Sequence, residues 1–335
     1  MNEPQGKTIP LSVLDLVPVL SGKTPAESYR NSLDLALVAE RSGYTRYWMA
    51  EHHNMEGIAS SATSVLISHI ASGTRSIRVG SGGIMLPNHS PLVIAEQFGT
   101  LESLFPGRID LGLGRAPGTD PLTAMALRRS VDPAGEDFAK SLKELQTYLS
   151  SENTGAAVRA IPGEGLNIPI WLLGSSTYSA QLAGISGLPF AFASHFAPNM
   201  LFSALQVYRD SFRPSEHLKE PYAMACVNAI AADTDDEAEF LATSLYISFL
   251  SVINGKRTKM QPPVKSMDSL WSENEKYAVL QMLSCSFIGS GENVSARLQQ
   301  FINATGINEL MISAHIYDQE ARKRSYEMIA ELCLQ

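Results

Sequence analysis

The chain has 335 residues, 44% hydrophobic and 18% charged, with a formal net charge of −8 and a pI near 5.4, a length that suits either two ordinary domains or one α/β barrel of about 250 residues with insertions. The acidic balance, without basic runs interleaved with aromatics, excludes a nucleic-acid partner, and no apolar run reaches the roughly 18 residues needed to cross a membrane. Three widely spaced cysteines, Cys226, Cys285 and Cys333, fit neither a disulfide framework nor a zinc site, and the N-terminus lacks a signal-peptide pattern, so a reduced, cytoplasmic protein is expected.

Ile9 to Leu14 predicts a first strand, and Thr24, Pro25, Ala26 and Glu27 form a capping box for a helix ending near Gly43. Thr45 to Met49 predicts a second strand, which runs into Ala50, Glu51, His52, His53 and Asn54, so polar residues replace apolar ones at its carboxyl end. A helix over Ser61 to Ser72 follows. The next strand starts at Ile77, meets Gly80, Gly82 and Gly83, and ends at Leu86 and Pro87; glycine inside a strand marks a bulge or a close approach to the backbone.

Asn88 or Ser90 can cap a helix from Pro91, with Ile94, Phe98, Leu101 and Phe105 on its buried face, and Gly107 stops it. Arg108 to Leu113 predicts strand four, ending in Gly114, Arg115, Ala116, Pro117 and Gly118. Arg108 itself, at that strand's other end, is assigned to structure. Pro121 to Arg129 and Glu136 to Ser150 predict broken helical segments.

Strand five, Pro169 to Leu173, ends in Gly174, Ser175, Ser176, Thr177, Tyr178 and Ser179, which open a helix reaching Gly187. Strand six, Leu188 to Ala193, leads to Ser194, His195 and Phe196, with a helix from Pro198. Strand seven covers about Tyr222 to Ala231, and Asp233 is placed to cap the helix after it. From about 253 to 272 the pattern dissolves into a segment with Pro262 and Pro263, expected to be a mobile excursion. A helix over Ser290 to Thr305, a strand over Glu309 to Ser313 and a terminal helix capped by Asp318 complete the chain.

Eight strands alternating with helices predict a single TIM (β/α)8 barrel domain over residues 1–335, with an insertion after strand seven. A doubly wound open sheet is the alternative, disfavoured because polar clusters follow at least five strands, whereas an open sheet gathers its ligand at one switch point. His52 has the side chain suited to both giving and taking a proton, and adjacent strand residues point to opposite faces. Glu51, His53, His195 and Phe196 are candidate substrate-pocket residues. Gly82 and Gly83 leave room for a flat ligand against the backbone, while Arg115 and the Ser175, Ser176 and Ser179 cluster at a helix start suit a phosphate. The glycine spacing fits neither a dinucleotide fingerprint nor a P-loop, and no metal site is expected.

The strings AEHHN at Ala50 to Asn54, VGSGGIMLPNHSPLVIAEQFGTL at Val79 to Leu101, PGRIDLGLGRAPG at Pro106 to Gly118 and LLGSS at Leu172 to Ser176 together resemble the bacterial luciferase-like flavin monooxygenases, and within them the YhbW-type members. The resemblance implies a TIM barrel that uses reduced FMN from a separate reductase, forms a flavin C4a-hydroperoxide with oxygen, oxygenates a small organic substrate and works as a homodimer. It gives His52 a proton-handling role beside the flavin, gives Arg115, Ser176 and Ser179 the phosphate, and places a non-proline cis peptide at Gly82 and Gly83. Where light-emitting members carry a reactive cysteine just before the arginine, this chain has Gly114, so light emission is not implied. The alternatives are hydride transfer with a flavin or, less favoured, a deazaflavin, and a flavin-binding protein without turnover.

Overall fold

A computed structural model describes residues 8–116, 120–127 and 136–334; Pro117, Gly118 and the end of the 121–129 helix, all read from sequence, lie outside the described residues. The barrel strands are β1 (Leu11–Asp15), β2 (Arg46–Met49), β3 (Arg78–Ser81), β5 (Ile109–Gly114), β6 (Ile170–Gly174), β7 (Phe190–Phe192), β8 (Ala223–Ala232) and β10 (Glu309–Ser313). Every neighbouring pair is parallel, and β10 joins both β1 and β8, so the sheet closes into an eight-stranded barrel with helices between its strands.

Two short strands depart from the expected eight. The predicted third strand is interrupted at Gly82 and Gly83, and its remainder, β4 (Ile84–Met85), pairs with β5 alone. β9 (Ser286–Ser290) lies outside the barrel against the far half of β8, which at ten residues outruns the barrel wall and leaves an edge to be paired. The insertion therefore holds a strand as well as helices 235–253 and 273–282, and between them residues 254–272 form no helix. That segment crosses the barrel mouth: Met260 pairs with the backbone of Val19 and Ser21, and Arg257 meets Asp120 at 3.2 Å.

Local chemistry explains several helix starts. Thr24 with Glu27 forms the expected capping box, and Asp318 caps the last helix. Thr234, not Asp233, caps the helix after β8, because its hydroxyl is the one that reaches the Glu237 amide. Ser90 stands at the cap position of helix 91–104 without bonding through its side chain, and Asn88 is instead drawn to Glu51. Arg108 binds the carbonyls of Ala71, Thr74 and Ile77, a structural role as expected.

Period-two alternation sorts each strand into an outer face, packed on helices, and an inner face filling the lumen. The lumen has layers. At its floor Arg46 pairs with Asp110 at 2.7 Å and Glu309 at 2.9 Å, and Arg78 joins the other Asp110 oxygen. Above sit Trp48 and Trp171, edge to face at 5.2 Å, with Met224 and Met311. One layer above Arg78 and Asp110 the inward positions of β3 and β5 are glycines: a Cβ on Gly80 would lie 2.9 Å from the Trp48 indole nitrogen, and one on Gly112 would lie 2.1 Å from the Ser81 carbonyl oxygen. Gly80 thus makes room for the tryptophan, and Gly112 lets β3 and β5 lie close together.

Candidate functional site

The open space is a cavity of about 240 Å³ at the carboxyl ends of the strands. Leu14, Trp48, Cys226 and Met311 form its base, and Gly82 and Gly83 form part of one wall. The peptide between those two glycines is cis. A Cβ on Gly82 would stand 2.8 Å from the Leu14 side chain and 3.2 Å from that of Trp48, so any larger residue would close the gap between the wall and the base.

At one end of the cavity β6 passes into helix 177–185, whose amides at the start have no intrahelical partners. Ser176 occupies the cap position, yet its hydroxyl does not cap the helix. Ser175, Ser176 and Ser179 line the cavity beside Arg115, whose guanidinium stacks over the Tyr178 ring at 4.4 Å. Gly174 allows this arrangement, since a Cβ there would be 2.6 Å from the Ser179 hydroxyl. Unfilled helix amides, three hydroxyls and an arginine form a receptacle for an anion.

His52, two residues beyond Ala50 on the lumen face, also lines the cavity, and His195 and Phe196 line it from beyond β7, their rings edge to face at 4.8 Å. Glu51 and His53 do not, which corrects the expectation that both belong to the pocket. The alternation that turns Ala50 and His52 inward turns Glu51 and His53 away. Glu51 is buried and accepts from the Met85 amide at 2.9 Å, from Asn88 at 3.2 Å and from His89 and His53 at 2.9 and 2.7 Å. Burial would raise its carboxyl, but His89, His53 and the Met85 amide outweigh that and hold it below its usual range. Glu51 thereby fixes the chain segment carrying Met85, itself a lining residue.

Sequence reading missed two groups. His315 lies two residues past the end of β10, and Asn228 sits buried on β8, donating to the His195 carbonyl at 2.6 Å. A polar residue just after the last strand was the available signal for His315. Burial drives His52 and His315 down to about 4 and His195 down to about 3. At His52 the Glu51 carboxylate works against burial while His53 and Arg257 work with it, and at His195 the nearby imidazoles of His315 and His52 further disfavour a proton.

These imidazoles set a pH dependence. A folded-state pKa depressed below the unfolded value near 6.5 means that, as pH falls from about 6.5 to 4, the unfolded chain takes up protons the native state refuses. Stability is thus complete above about pH 6.5 and lost below it, each group costing about 1.4 kcal/mol for every tenfold by which folding weakens its hold on a proton. Urea midpoints at about pH 7.5, 6 and 4.5 should fall progressively, and a midpoint constant down to about pH 4.5 would mean the imidazoles are not shielded in solution.

Among the described residues no group of three or more histidine, cysteine or acidic side chains could hold a metal, and no helix is long and apolar enough to cross a membrane.

The family model described as luciferase-like monooxygenase matches residues 10–309. A luciferase-like monooxygenase of Escherichia coli (strain K12) is 52% identical over 326 residues, 97% of each chain. The N-acetyl-S-alkylcysteine monooxygenase of Bacillus subtilis (strain 168) is 32% identical over 332 residues, 97% of this chain and 98% of that one. Among solved structures, apo-MsnO8 superposes with a TM-score of 0.90 at 35% identity, covering 97% of this chain and 98% of that one. The oxygenating constituent of 3,6-diketocamphane monooxygenase from Pseudomonas putida, solved in complex with FMN, shares the fold with a TM-score of 0.74 at 18% identity over 98% and 99% of the two chains.

Proposed function

From the premise that this chain belongs to the luciferase-like monooxygenase family, and is thus a flavin-dependent oxidoreductase, we propose that it takes reduced FMN from a separate reductase and oxygenates a small organic substrate in the cavity. The observation that carries the reading is the juxtaposition, in one cavity, of the side-chain-free wall at Gly82 and Gly83 with the Arg115 and serine receptacle. A flat ring with a phosphate tail fits those two features in that order.

Reduced flavin, when bound, supplies the electrons that activate oxygen. Arg115, Ser175, Ser176 and Ser179 hold the phosphate through charge-assisted and neutral hydrogen bonds. Gly82 and Gly83 would permit close approach of the ring, in a cavity also lined by Trp48 and Leu14. Leu16, Met85, Phe192 and Phe196 keep water from the reacting centre. His52 holds a proton at the cavity for exchange with the reacting oxygen.

The same reading takes the chain as one domain, residues 254–272 as a mobile cover over the mouth, the working form as a homodimer and the compartment as the cytoplasm. It is supported by the family, by FMN in the fold-mate from Pseudomonas putida, and by the three free thiols.

The test is a titration with oxidised and anaerobically reduced FMN, followed by rapid mixing with oxygenated buffer. Tighter binding of the reduced form, and a transient absorbing differently from both stable flavin forms, are expected. Arg115→Ala should weaken FMN binding by about 10- to 100-fold, the worth of charge-assisted hydrogen bonds of roughly 1.5–3 kcal/mol. If neither form of FMN binds the wild-type protein, the cofactor assignment is wrong.

A further inference from the structure

His52 and His195 stand on opposite walls. Going round the barrel from β2 through β3, β5 and β6 to β7 is four steps in a ring of eight. Both residues line the cavity between them, and a charge on His52 would be felt at His195. In each ring Nδ1 is shut away from solvent and, among the described residues, has no hydrogen-bond partner. The edge left to face the cavity is the one carrying Nε2.

A neutral imidazole has one proton to place. A buried N–H without an acceptor is rarer in proteins than a buried lone pair without a donor, so the closed-off Nδ1 is the bare nitrogen and Nε2 carries the hydrogen. Neither ring has a carboxylate or carbonyl on Nδ1 that would reverse this assignment. Two N–H groups therefore converge on the cavity from opposite sides.

The rest of that end is apolar, with Leu16, Phe192, Phe196 and Met311 around it. Among the described lining residues Arg115 alone carries a charge, and it stands with the serines. Arg257, whose charge reaches His52, is engaged by Asp120. A carboxylate, sulfonate or ammonium at the histidines would lose its hydration and gain no ion pair.

We propose that the substrate has an apolar body and an uncharged acceptor oxygen, the carbonyl of a ketone, ester or amide, and that His52 and His195 bind this oxygen between their Nε2–H groups. This rests on the flavin reading above, since the apolar end is taken as the space the cofactor leaves. His195 is thereby a substrate-binding residue, with Asn228 holding its backbone carbonyl in place.

The test uses FMN-saturated protein titrated with hexan-2-one and with hexanoate, followed by flavin difference spectra, in wild type, His195→Leu and His195→Gln. Saturable ketone binding is expected, with hexanoate at least about tenfold weaker. The leucine variant should lose about tenfold in ketone affinity, and the glutamine variant, which keeps an N–H donor, should recover to within about threefold of wild type. Unchanged FMN affinity in both variants shows that the cavity is intact. No saturable ketone binding, the same ketone affinity in His195→Leu as in wild type, or hexanoate binding more tightly in a His195-dependent way would each overturn the proposal. FMN affinity lost in step with ketone affinity would assign His195 to the cofactor and overturn it too. Failure of FMN to bind wild type is seen before any probe is added and strikes the cofactor reading. The ketone titration is then followed by the protein's tryptophan fluorescence, Trp48 lining the cavity, and is judged by the ketone and hexanoate criteria alone.

Discussion

Changing His52 to alanine is expected to lower turnover by about 10²- to 10⁴-fold, the usual worth of a positioned proton donor or acceptor. FMN affinity should stay within about threefold of wild type, because the residues proposed to hold the phosphate, Arg115 and the three serines, follow other strands of the barrel. His52 is suited to this role by position rather than charge. It follows β2 on the lumen face and stays neutral at physiological pH because burial holds it near 4, so it can donate a hydrogen bond without carrying a charge into an apolar cavity. Single-turnover oxidation of prebound reduced FMN, with product formation measured alongside, separates the two quantities. Equal losses of turnover and FMN affinity would show that the histidine holds the cofactor and remove its catalytic role. His53→Ala should have a much smaller effect on turnover, since that ring faces Glu51 outside the cavity.

The second large effect is on stability. Arg322→Met is expected to cost about 3–5 kcal/mol by stranding a buried carboxylate. Asp15, at the end of β1, is fully buried and accepts from Arg322 at 2.9 Å, from the Tyr47 hydroxyl at 2.6 Å, from Ser32 and from the Val17 amide. Arg322 also donates to the Ala314 carbonyl, so one guanidinium ties the last helix to both the first and the last barrel strands. Burial would raise the Asp15 carboxyl, but Arg322, Ser32 and Tyr47 outweigh it and hold it below its ordinary value. A depressed carboxylate stabilises the fold above the unfolded value and loses that contribution as pH falls through the folded one. The variant should therefore show a lower urea midpoint at neutral pH, and Asp15→Asn in the same background should recover part of the loss. A midpoint unchanged from wild type would rule out the buried pair as a clasp.

The sequence exposed the elements that local chemistry writes. Thr24 with Glu27 and Asp318 mark helix starts that the structure keeps, and the apolar runs at Leu11, Ile109 and Ile170 read as strands and are strands. β9 was hidden because its pairing depends on β8 overrunning the barrel, which is a fact about the neighbouring strand. Asp233 and Thr234 are equally good caps on paper, and the path of the chain chose between them.

For the site, the sequence by itself determined which strand ends carry reactive groups: His52, Gly82 and Gly83, Arg115, the three serines, and His195 with Phe196. Composition along the strand marks these places, because polar residues and glycines there interrupt the apolar runs. The tertiary structure decided which of them face one another. Barrel closure put His52 opposite His195 and brought Arg115 over Tyr178. The direction of each side chain around the last strand residue sent Glu51 and His53 to brace the Met85 segment instead of lining the cavity. Neither result can be read along a single strand, since both depend on the ring of eight and on the pleat, through which a shift of one residue exchanges lumen for wall.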